Sequence, residues 1–154
     1  MRQCLIHLGF PKTGTTSIQE SLFLNRDYLR ENGVYYPSFQ LAGQSLGRYA
    51  CHVFQSVTRD YSEIQPFWRL GRARAELRNY GITQLDRVIR EFQASGCPML
   101  LLSSELLPGQ YFGSFADILV HDIGTIRGLF YVRSPLSVFR SRFQQGLRGG
   151  QFHK

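Results

Sequence analysis

A short apolar run that leads through a glycine-containing loop into a helical pattern constrains this chain more than any other feature. Cys4-Leu5-Ile6-His7-Leu8 reads as a buried parallel strand, because its side chains are nearly all apolar rather than alternating. Gly9 to Gly14 follow as a loop holding Pro11 and Lys12. From Thr15 a helical pattern begins, with Ile18, Leu22 and Leu29 on one face and Gly33 at the left-handed position that ends it near Asn32. Strand, loop and helix N-terminus together make an anion site: backbone N–H groups converge on the ligand and the helix dipole favours negative charge. Lys12 adds a full positive charge, and Thr13, Thr15, Thr16 and Ser17 add hydroxyl donors around Gly14. The loop reads as a binder of phosphate or of a group built like phosphate.

The pattern is not a Walker A loop, although Gly9 and Gly14 have that motif's spacing. In GxxxxGK[ST] the lysine follows the second glycine. Here Thr15 follows Gly14 and the lysine lies inside the loop. The run Pro11-Lys12-Thr13-Gly14-Thr15-Thr16-Ser17 instead resembles the 5′-phosphosulfate loop of the sulfotransferases that use 3′-phosphoadenosine 5′-phosphosulfate (PAPS). A second stretch, Tyr131-Val132-Arg133-Ser134-Pro135-Leu136-Ser137-Val138-Phe139-Arg140-Ser141, resembles the same family. There an arginine at a strand end and a serine eight residues later bind the nucleotide 3′-phosphate, and Arg133 and Ser141 have that spacing. The chemistry is sound, since a guanidinium forks onto phosphate oxygens and a serine adds a neutral donor. The resemblance leaves residues 38 to 96 largely unassigned.

Between the two motifs the chain alternates strand and helix signals. Val34-Tyr35-Tyr36 reads as a short strand stopped by Pro37, and Ser38 to Gly47 as loop. Helical segments are expected at Tyr49 to Arg59, at Arg69 to Tyr80 and, most clearly, at Ile82 to Ser95. In the last of these Leu85, Val88, Ile89 and Phe92 share a face and Gly96 is the stop. Pro98 to Ser103 is a second buried strand, Ser114 to His121 a helix, and Gly128 to Val132 a third strand. Ser134 then caps a helix with Pro135 at its first position, running to about Leu147. This order predicts one α/β domain over residues 1–154, a mainly parallel sheet with helices on both faces in a P-loop-like three-layer arrangement. Ligands of such sheets gather at the carboxyl ends of the strands. The ends of these three strands lead into Lys12, Glu105 and Arg133.

Composition bounds the partners. A hydrophobic fraction of 43% suits a globular chain of 154 residues. No apolar run is long enough for a membrane span, and the first strand begins too early to leave room for a signal peptide. Cys4, Cys51 and Cys97 show no metal-binding or redox spacing; Cys4 and Cys97 read as buried small hydrophobes. A reducing cytoplasm is the expected compartment. The net charge of +7 comes from dispersed arginines without a nucleic-acid motif, so an anionic nucleotide accounts for it as well as a nucleic acid does.

The resemblance implies transfer of a sulfuryl group from PAPS to a hydroxyl or amine, with 3′-phosphoadenosine 5′-phosphate (PAP) as product and a carbohydrate among the acceptors to consider. Lys12 would stabilise the leaving bridging oxygen, while Thr13, Gly14, Thr15, Thr16 and Ser17 hold the 5′-phosphate and Arg133 and Ser141 the 3′-phosphate. No metal is implied. Two residues compete as general base: Glu105, which follows a buried strand on the expected active edge, and His52, since histidine titrates near neutrality. His7, inside the first strand, reads as structural. Three other readings stay open: a P-loop nucleotide kinase, a non-catalytic PAPS or PAP binder and, more distantly, a nucleic-acid module. Members of the resembled family continue past the helix bearing Ser141 with further sheet, helix and a basic loop. The expectation is therefore an incomplete C-terminal side, weakened nucleotide binding, little turnover, an uncovered sheet edge or helix face, and a homodimer.

Overall fold

The computed structural model describes residues 2–9, 14–41, 44–45, 57, 74–104 and 110–148. Its elements, in chain order, are β1 (Gln3–Gly9), α1 (Thr15–Leu24), α2 (Arg26–Glu31), β2 (Val34–Tyr35), β3 (Gln40–Leu41), β4 (Gln44–Ser45), α3 (Arg74–Ser95), β5 (Met99–Ser104), α4 (Gln110–Ile123), β6 (Thr125–Tyr131) and α5 (Pro135–Arg148). Four strands form one sheet in the order β2-β5-β1-β6, and every neighbouring pair is parallel. β3 and β4 pair separately as a small antiparallel hairpin. The α/β class with a parallel sheet holds.

Right-handed crossovers distribute the helices. The connection from β1 runs toward β2 through α1 and α2, whereas the connections through α3 and α4 run the opposite way. These two sets therefore lie on opposite faces of the sheet. Strand alternation agrees with this. Cys4, Ile6 and Leu8 of β1 and Leu100 and Leu102 of β5 are buried in one cluster with Leu85, Val88, Ile89 and Phe92 of α3 and Phe115, Leu119 and Ile123 of α4. The alternate residues His7 and Ser103 face the α1 side.

The apolar face expected on α3 is the one that is buried, at positions i, i+3, i+4 and i+7. Phe92 is fully buried and its ring centroid lies 6.2 Å from that of Tyr35. The Tyr35 hydroxyl donates to Glu91 Oε2 at 2.6 Å, and Arg87 bridges Glu91 Oε1 at 2.6 Å to the Ser38 carbonyl at 2.6 Å. This network ties the segment after β2 onto α3. Cys4 and Cys97 are buried, and desolvation pushes the Cys4 thiol up to about 12, so it is inert at neutral pH.

Several expected boundaries move. The first helix does not run unbroken to Asn32. It breaks at Asn25, whose Nδ2 donates back to the Ser21 carbonyl at 2.8 Å, a local bond that competes with helix continuation. Asn32 ends α2 in the same way, bonding the Tyr28 carbonyl at 2.8 Å, and Gly33 follows with φ 81°. Ile18, Leu22 and Leu29 are only half-buried; the buried residues of α1 are Thr15 and Gln19. The two helices expected around Gly81 are one, because a glycine costs a helix only about 1 kcal/mol against alanine and does not by itself stop it. Loop was expected across Ser38 to Gly47, yet β3 and β4 lie there; two-residue strands are too short to show alternation. β6 starts earlier than Gly128, and α4 starts earlier and ends later than expected. The helix expected at 49–59 lies outside the described residues except for Val57, which is buried.

Candidate functional site

The sheet order builds the site. β1 lies between β5 and β6, and its connection leaves toward β2 while that of β5 crosses over to β6. Such a reversal opens a crevice at the carboxyl ends of the strands. Register places those ends level. Leu8 pairs with Ser104, the last residue of β5, and Gly9 pairs with Tyr131, the last residue of β6. With neighbouring strands about 4.8 Å apart, the carboxyl ends of β1, β5 and β6 lie side by side at one edge.

Gly14 is the N-cap of α1, with φ 84° and ψ 11°. A Cβ built there meets nothing within 4 Å, so the demand for glycine is conformational rather than steric. The Gly14 carbonyl accepts the first helical bonds, from Ser17 N at 3.1 Å and Ile18 N at 3.2 Å. No side chain caps this end and no acidic residue lies in the first turn. The first turn therefore offers the positive end of the dipole no acidic side chain of its own. Thr15 is buried against the sheet side, whereas Gly14, Thr16 and Ser17 are exposed.

On the neighbouring strand, Arg133 is exposed two residues beyond Tyr131. Ser134 caps α5 as expected: its Oγ accepts from Ser137 N at 3.3 Å, and its carbonyl accepts from Val138 N at 3.1 Å. The cap fixes the direction in which α5 leaves the strand end. Ser141 is half-buried within α5. The structure thus brings the α1 N-terminus and Arg133 to one edge of the sheet. Lys12, Thr13, His52 and Glu105 lie outside the described residues. Ser104, immediately before Glu105, is buried at that same edge.

An open groove of about 460 Å³ runs along α1, lined by Thr16, Ser17, Glu20, Ser21, Leu24 and Asn25. Among the described residues its lining has an acidic residue and no basic one, which does not suit the anionic part of a ligand. No helix among the described residues is long and apolar enough to cross a membrane. The sequence reading missed the buried polar residues of β1, β5 and α1, namely His7 and Ser103 on the sheet and Thr15 and Gln19 on the helix. The available signal was His7 interrupting an otherwise apolar strand. No protein-family model, curated protein or solved structure matches the chain.

Proposed function

We propose that the chain is the nucleotide-binding domain of a PAPS-dependent sulfotransferase, acting on an acceptor hydroxyl or amine such as that of a carbohydrate. The observation that carries this reading is the pairing of Gly9 with Tyr131, which brings the strand that precedes the α1 N-terminus level with the strand that precedes Arg133. A nucleotide phosphorylated at both 3′ and 5′ positions needs two separate anion sites at one strand edge, and the PKTGTTS and Arg133–Ser141 motifs supply candidates for both. The 5′-phosphate meets the N–H groups and hydroxyls at Thr15, Thr16 and Ser17, while Arg133 and Ser141 take the 3′-phosphate.

In the transfer step the bond between sulfur and the bridging oxygen breaks as a bond to the acceptor oxygen or nitrogen forms. Lys12 stabilises the charge left on the bridging oxygen, and the acceptor's proton passes to a general base, Glu105 or His52. Catalysis of this kind is mainly alignment and charge stabilisation. Calorimetric titration with PAP, adenosine 5′-phosphosulfate and ATP tests the reading. Tightest binding of PAP is expected. A preference for ATP would favour a nucleotide kinase, and PAP binding with no transfer to a broad acceptor panel would favour a non-catalytic nucleotide binder.

A further inference from the structure

His7, on the α1 side of β1, is 5% exposed, and Gln19, on α1, is 3% exposed. His7 Nδ1 and Ser103 Oγ are hydrogen-bonded at 2.8 Å across the β1–β5 register pair that the two residues form. His7 Nε2 and Gln19 Nε2 have no hydrogen-bond partner among the described residues. Burial lowers the imidazole below its ordinary value of 6.5, which keeps the ring neutral at pH 7. In the tautomer whose Nδ1–H donates to Ser103 Oγ, the neutral ring keeps an acceptor at Nε2, and the unpartnered Gln19 Nε2 is a donor. The two groups are complementary and unsatisfied.

Apolar side chains would fill these positions without leaving desolvated polar atoms. The polar pair instead brackets the anion loop in sequence: His7 lies just before Gly9, and Gln19 lies one helical turn beyond Thr15. We propose that His7, Ser103 and Gln19 form a positioning network, in which seating an anion at the α1 N-terminus draws the first turn onto β1 and closes a hydrogen bond, direct or through one water, between Gln19 and His7 Nε2. Ser103 holds the ring in the orientation this requires. The bond exists only in the bound state, so it contributes to ligand affinity and not to the stability of the free protein. This inference rests on the anion-loop reading above.

The test uses PAP with the whole chain. Gln19→Met, an apolar replacement of similar size, is expected to leave the ligand-free melting temperature unchanged or higher, whereas His7→Phe should lower it by leaving the buried Ser103 Oγ without its partner. Each should weaken PAP binding by about tenfold, the scale of one hydrogen bond, and the double variant should lose no more than either single one. Nitrogen-15 spectra of the wild-type imidazole give a readout that needs no variant: the His7 Nε2 resonance should move to its hydrogen-bonded position on saturation with PAP. A lowered melting temperature with unchanged affinity would overturn the network and leave a purely structural pair, as would an unmoved Nε2 resonance. Wild-type protein that binds no PAP would overturn both this inference and the nucleotide reading. Wild-type binding with unaffected variants removes only the inference.

Discussion

Gly9 and Tyr131 are register partners across the parallel pair of β1 and β6, so the strands that precede Gly14 and Arg133 end at adjacent positions. On the proposed function, this arrangement divides the nucleotide between two anion sites. Arg133 is exposed, and its truncation should not disturb the fold. Arg133→Ala is expected to weaken PAP binding by about tenfold to a hundredfold, the worth of a hydrogen bond to a charged group. Binding of the 3′-hydroxyl analogue should change little. Calorimetry on both ligands checks this, and equal losses would remove Arg133 from the 3′-phosphate site.

Gly14 has a backbone conformation that other residues adopt at a cost. Gly14→Ala should destabilise the protein by about 1–2 kcal/mol, since φ 84° is strained for an L-residue even where the added methyl meets nothing. Denaturant unfolding measures that loss. The same variant should weaken phosphate-group binding, because relief of the strain moves the first N–H groups of α1.

Lys12→Ala should leave the melting temperature unchanged while lowering sulfuryl transfer by about two to three orders of magnitude, the scale for one transition-state donor. The measurement is single-turnover transfer to an identified acceptor. Unchanged turnover in a stable variant would take Lys12 out of the chemistry.

How much of this was legible in the sequence depended on pattern length. Leu85, Val88, Ile89 and Phe92 repeat over several helical turns, and the core is where that stripe predicts. The cap at Ser134 was equally readable, because serine followed by proline acts through local geometry. The break at Asn25 was not, since one side-chain bond to Ser21 decided it against a continuous helical pattern. Strand order was beyond reach as well: β2 lies next to β5 rather than β1, a long-range choice that no local stretch encodes. For the site, the anion loop and Arg133 could be named from motifs. The buried His7–Ser103 bond could not, because it joins residues that only the sheet register brings together.

Burial of His7 makes a pH prediction with a definite sign. Its folded value lies below the ordinary 6.5, so the unfolded chain binds the proton more readily than the native one. The contribution of the neutral ring to stability is complete above pH 6.5 and is lost progressively as pH falls below that value toward the folded one. Thermal unfolding between pH 7.5 and 5.5 should show a falling melting temperature, and His7→Phe should reduce the fall. An equal fall in the variant would assign the effect to other groups.

The last prediction concerns association. β6 ends the described sheet, and its outer edge carries Leu129, Phe130 and Tyr131, each about half exposed. Val132 is 69% exposed and Phe139 66% exposed, while Leu136 and Phe143 add further apolar area on α5. A strand edge beside this much exposed apolar surface favours pairing with another chain. The arginines at 127, 133 and 140, all exposed, oppose it by like-charge repulsion that salt screens. Association should therefore strengthen as ionic strength rises, the reverse of an interface held by salt bridges. Light scattering is expected to give a mass that grows with protein concentration, more steeply in high salt. Leu129→Lys with Phe139→Lys should lower that mass without lowering the melting temperature, since neither side chain belongs to the buried core. A monomeric mass at every concentration and salt level would show that the exposed surface does not drive self-association.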